Sequence, residues 1–100
     1  MTIKTWLLAV STAIVVTGPM AAVAQNADRT IEQYSCKDVM RESDTNRQTA
    51  IAFLHGYYLG KSGSTKFNLD AMAKQTDAFL DRCLDNPKEK AMDAMMKAKQ

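Results

Sequence analysis

Along this chain, apolar side chains recur at helical spacing and nowhere alternate as a strand would require. The clearest period falls between Asn68 and Asp85. There Leu69, Met72, Thr76, Phe79 and Cys83 follow one another in steps of three and four, with Ala73, Leu80 and Leu84 alongside, and Asn68 stands where a cap belongs. Upstream, Arg47 to Gly60 carries Ala50, Ile51, Phe53, Leu54, Tyr57, Tyr58 and Leu59, an apolar surface broader than one partner covers. Gly60 fits a C-terminal cap for that helix, and Lys61 to Thr65 reads as a flexible loop. Ser35 followed by Asp38 is the start signal of a short helix. The cap and turn formers Ser43-Asp44-Thr45-Asn46 stop it by about Glu42. Asn86-Pro87-Lys88-Glu89 ends the long period and opens a last helix, with Asn86 as cap, Pro87 in the first position and Glu89 completing a capping box. That helix places Ala91, Met92, Met95 and Met96 on one side, surrounded by Lys88, Lys90, Lys97 and Lys99. The pattern predicts an all-α fold, a small single-domain helical bundle.

The first stretch has a different character. Lys4 precedes an apolar run from Trp6 to Val16, Gly18-Pro19 breaks it, and Ala22-Val23-Ala24 supplies a small-x-small cleavage pattern. Residues 1–24 therefore read as a secretory signal peptide, cut before Gln25. The run is short for a bilayer span, which needs about 20 residues. Residues 25–34 are polar and without period, and read as a flexible N-terminal arm; residues 35–100 form the helical domain.

Cleavage leaves 76 of the 100 residues, room for one core only. Domains of this size bury about 60% of their unfolded surface and need a staple. Cys36 and Cys83 are the only cysteines. In an exported chain two such thiols are expected to pair, and free thiols are the lesser alternative.

Charge excludes little at neutral pH. Without Lys4 the chain has 12 basic side chains against 11 acidic ones, and no basic block marks a nucleic-acid surface. At pH 2, with carboxylates neutral and His55 and the new amino terminus charged, the net rises to about +14. No nucleophile elbow, phosphate-binding glycine loop or paired-carboxylate motif is present. One histidine and two cysteines do not make a zinc site. His55 beside an apolar helix face reads as a packing or surface residue. The methionines of the tail read as core filling or as an adaptable binding surface, and Tyr57-Tyr58 as ordinary packing or as an interface anchor. These features leave binding and structural roles rather than catalysis, and imply no cofactor or metal.

The stretch from Tyr34 to Met96 resembles the HdeA/HdeB family of periplasmic acid-stress chaperones. The matching pieces are Ser35-Cys36-Lys37-Asp38, the Gly56-Tyr57 element inside the first long helix, and Cys83 ending the next helix before Asp85-Asn86-Pro87. Tyr34 stands where the HdeA pattern has Trp, and the Gly-Tyr-Tyr stretch also differs from it. The resemblance implies a helical bundle with one Cys36–Cys83 disulfide, a homodimer near neutral pH, and opening in acid to hold acid-denatured periplasmic proteins on exposed apolar surface, without ATP. It carries Asp38 over as a proton-sensing position and Asp70 more weakly. Phe53, Leu54, Tyr57, Tyr58, Phe79, Met92, Met95 and Met96 are the expected client or dimer surface. The resulting localisation is the periplasm, with no membrane partner after cleavage.

The same residues resemble a second class, the periplasmic immunity proteins that neutralise type VI secretion amidases, some of which share a Gly-Tyr-x-x-Gly element like Gly56 to Gly60. That reading implies one tight partner at neutral pH. A structural periplasmic protein without an acid role is the third alternative.

Overall fold

A computed structural model describes residues 27–100; the expected signal peptide and its cleavage site lie outside the described residues. A 3-10 turn at Ile31–Gln33 leads into four α-helices: α1 (Cys36–Arg41), α2 (Asp44–Lys61), α3 (Leu69–Asp85) and α4 (Ala91–Ala98). No strand occurs among the described residues. The all-α bundle and its single disulfide, Cys36–Cys83, are as the sequence implies.

α1 starts as its sequence predicts. The Ser35 hydroxyl accepts from the Asp38 amide while the Asp38 carboxylate accepts from the Ser35 amide. Six residues are too few to hold helical structure in water unaided. Both ends of α1 are secured from outside. The Cys36 amide donates to Glu89 O at 2.8 Å and the Lys37 amide to Pro87 O at 2.9 Å. At the other end, Arg47 of α2 donates to the carbonyls of Val39, Met40 and Glu42 at 3.3, 3.1 and 3.0 Å. These contacts satisfy backbone groups that a helix end leaves orphaned.

Three boundaries depart from the sequence reading, for related reasons. Ser43 does follow the end of α1, but it also caps α2 by accepting from the Asn46 amide, so α2 begins at Asp44 rather than Arg47. Cap formers mark starts as readily as stops. α2 also runs past Gly60. Its C-cap is Ser62, and Gly63 follows at φ +77°, with the Gly63 amide donating to Gly60 O and the Ser64 amide to Leu59 O. That is the paired bonding of a Schellman motif, which places glycine just beyond the helix. Finally, Asn86 closes α3 and does not open α4, which begins at Ala91. Pro87 to Lys90 instead forms a turn whose end runs antiparallel to Tyr34–Cys36. The Ala91 amide donates to Tyr34 O at 2.8 Å, flanking the Ser35–Lys90 pair.

The expected arm is structured from Thr30 onward. Arg29 forks onto Glu42, with Nε to Oε2 at 2.7 Å and Nη2 to Oε1 at 2.8 Å, and the Tyr34 hydroxyl donates to Glu42 Oε2 at 2.7 Å. Tyr34 is buried. Its apolar ring, invisible to a periodicity argument as a lone residue, docks the segment.

The core gathers around the disulfide. Cys36, Val39, Leu54, Phe79, Ala91, Ala94 and Met95 are fully buried and Cys83 nearly so. α1 and α4 pack against both long helices, while α2 and α3 have few direct contacts with each other. The start of α3 stands clear of the core. Phe67 and Leu69 are exposed there although the apolar period runs on through Leu69.

A bond closing a loop across 47 positions stabilises a chain by about 4 kcal/mol through unfolded-state entropy. That is of the order of the whole stability of such a domain. The Cys36→Ser/Cys83→Ser double variant is therefore expected to lose most of its cooperative urea transition, followed by far-UV circular dichroism at pH 7.

Candidate functional site

The apolar candidate residues divide into two groups. Leu54, Phe79 and Met95 are fully buried and form the folded core. In the folded state they are not surface, because the inward stripe of each helix is what meets the disulfide. The rest lie on the outside or at its edge. Tyr57, Tyr58, Met92 and Met96 line one groove of about 550 Å³ between α2 and α4, together with Ile31. Met96 is 45% exposed and Phe53 is 55% exposed. The Phe53 and Tyr57 rings pack with centroids 5.9 Å apart, and Lys61 Nζ lies 5.5 Å from the Tyr57 ring centre.

Tyr58 separates this groove from a second one of about 480 Å³ between α2 and the start of α3, where Leu59, Phe67, Met72 and Lys99 also contribute. Phe67 lies outside every helical period of the sequence, so nothing in the pattern marked it. Lys99 Nζ sits 5.2 Å over the Tyr58 ring and donates to Gln75 Oε1 at 2.8 Å, joining the end of α4 to both long helices. Burial lowers the pKa of Lys99. His55 is buried, with Nε2 2.8 Å from Thr76 Oγ1. Desolvation, and then the nearby Lys99 charge, lowers its pKa below the usual 6.5. The packing role expected for His55 is thus its place in the structure, but with a polar partner on α3.

The two acidic candidates are not brought together. Asp38 is an exposed member of the α1 capping box, and its Oδ2 also accepts from the Ser35 hydroxyl at 3.0 Å. Asp70 is exposed in the first turn of α3, where the helix dipole favours its charge.

The acid that most firmly joins elements is Glu89, which sequence reading assigned to a capping box. Its Oε1 accepts from Arg82 Nε, and its Oε2 accepts from Arg82 Nη2 at 2.9 Å and from Lys97 Nζ at 2.7 Å. One carboxylate thereby clasps α3, the turn and α4. The hydrogen bonds from Arg82 and then from Lys97 hold its pKa down to about 2. A second acid, Glu42, holds Arg29 and Tyr34 as described. Burial first, then the bond to Glu42, pushes the Tyr34 hydroxyl pKa up. Among the described residues, no cluster of histidine, cysteine and acidic side chains has the make-up of a metal site. No helix among them is long and apolar enough to cross a membrane.

The chain belongs to the HdeA/HdeB family, whose model matches residues 5–93. It matches no curated protein and no solved structure.

The Glu89 clasp has a defined pH window. Its folded pKa lies below the unfolded value of 4.5, so its stabilisation is complete above 4.5 and disappears as pH falls through about 2. Glu89→Gln is expected to cost about 1–2 kcal/mol at pH 7, in the range of charged hydrogen bonds discounted for partial exposure. Urea melts at successively lower pH should show the gap between variant and parent narrowing below pH 4.5 and closing near pH 2.

Proposed function

We propose that this member of the HdeA/HdeB family is an ATP-independent periplasmic chaperone, opening in acid and holding denatured proteins on the apolar surface it exposes. Family membership supports the class and the compartment. The observation that carries the reading is the continuity of apolar side chains from surface to core. Tyr57, Tyr58, Met92 and Met96 line one groove with the Phe53 ring against Tyr57, and Met92 packs on the core that holds Leu54 of α2, Phe79 of α3 and Met95 of α4. A modest separation of helices extends an existing apolar surface and does not need a new one.

The physics of acid favours that separation. Protonation removes the charge of carboxylates that hold cations, Glu89 last among them as pH falls through about 2. The chain is left with only positive charge, about +14 near pH 2, and repels itself. Apolar attraction is indifferent to protons, so client binding persists where ion pairs fail. The positive charge also keeps complexes in solution. Methionine adapts to irregular partners, which suits Met92, Met95 and Met96 to unfolded clients.

Near neutral pH the exposed Phe53–Met96 side is the surface we assign to a homodimer, whose dissociation in acid frees it. Asp38 and Asp70 remain proton-sensing candidates of a local kind, each acting on its own helix start. No catalytic step and no cofactor enters this reading.

Light scattering from an acid-labile reference protein, mixed with the oxidised mature chain, tests it. Aggregation should be suppressed only below about pH 5, where carboxylates begin to protonate. Absence of suppression from pH 7 down to pH 2 would reject the chaperone reading, and a single tight partner captured at pH 7 would favour the immunity alternative.

A further inference from the structure

α2 and α3 touch little, and among the described residues one side-chain hydrogen bond spans them: His55 Nε2 to Thr76 Oγ1 at 2.8 Å. The imidazole is only 4% exposed, and its Nδ1 is buried without a partner. This arrangement suits a neutral ring. With the proton on Nε2, the Thr76 hydroxyl oxygen accepts it and Nδ1 keeps a bare lone pair. A second proton turns Nδ1 into a buried N–H with nothing to receive it, a costly state.

The surroundings make the charge worse. Lys99 faces the ring from the end of α4, and Lys66 lines the same groove from the loop before α3. α3 brings Met72, Gln75 and Thr76 to this region, and α2 brings Tyr58 and Leu59. α1 turns Cys36 and Val39 toward the core. No carboxylate lines the groove, so an imidazolium there becomes a third cation with no counter-charge.

We propose that His55 is a proton-operated latch between the two long helices: charging it beside Lys99 parts α2 from the start of α3 and opens the groove lined by Phe67 and Met72 in mild acid. The use of that opening for client capture rests on the chaperone reading; the latch itself does not. In the opened chain the ring ionises near the usual 6.5, and in the folded chain only at lower pH. The opened state binds more protons between the two values. Stability is therefore complete above pH 6.5 and falls as pH drops from there toward the folded value. The latch releases before the Glu89 clasp, whose window begins at 4.5.

His55 is the only histidine, so its ring protons give one unambiguous titration by proton NMR. In the folded protein the ring should titrate below 6.5, and in the Lys99→Gln variant nearer to it. Binding of bis-ANS, a dye for exposed apolar surface, should rise in the parent between about pH 6 and 4.5. In His55→Gln, which keeps a donor for Thr76 and cannot ionise, the rise should move down by about one pH unit. A ring that titrates at or above 6.5, or dye curves that coincide, overturns the latch; the ring titration decides the matter even if the variant fails to fold. A shifted dye curve without suppression of aggregation keeps the latch and rejects the chaperone reading. Suppression with an unshifted curve does the reverse.

Discussion

The Cys36–Cys83 bond holds in place two helices that cannot stand alone. α1 has six residues and α4 eight, both below the length at which a helix persists in water. Joining the first residue of α1 to the last turn of α3 brings the α1 amides under the Pro87–Glu89 carbonyls, and that pairing in turn sets where α4 begins. The fully buried side chains from all four helices collect around this junction. The long helices, by contrast, are assembled through the short ones. The stability of the bundle is thus concentrated at one end, and its far end is held by a few polar contacts.

The two ends answer protons differently. Beside the disulfide, Glu89 is gripped by Arg82 and Lys97 so firmly that it keeps its charge until pH falls to about 2. At the other end, His55 sits among lysines and gains a charge it has no means of neutralising. Carboxylates with cationic partners resist acid through opposite charge. Buried bases with cationic neighbours yield to it. Both effects act within one small core, so acid divides the molecule before it dissolves it.

Much of this was written in local sequence. The Ser35–Asp38 capping box, the Asn68 cap and the apolar period of α3 each depend on residues within one or two turns, and each is found where the pattern puts it. The same local logic failed at Ser43 and at Asn86-Pro87, because cap-forming residues serve both ends of helices. The choice was made by Arg47 reaching back to α1 and by Glu89 reaching out to Arg82 and Lys97. The period also could not say where the core ends. Leu69 obeys the spacing of Phe79 and Cys83 but lies beyond the reach of α1 and α4, and is exposed. The partner of His55, Thr76, is 21 positions away on a helix that α2 scarcely touches. No spacing rule connects them; only the disulfide-centred assembly does.

The disulfide also divides the chain topologically. From Cys36 to Cys83 the polypeptide is a covalent ring that contains α1, α2 and α3, and α4 is a tail outside it. However far the fold loosens, the ring cannot be drawn out longer than about 80 Å, half the contour of its residues laid double. The loosened chain is then a hoop of bounded circumference with a methionine-bearing tail, not an open string. Refolding then begins from a chain in which α1 and the end of α3, 47 positions apart, have never separated.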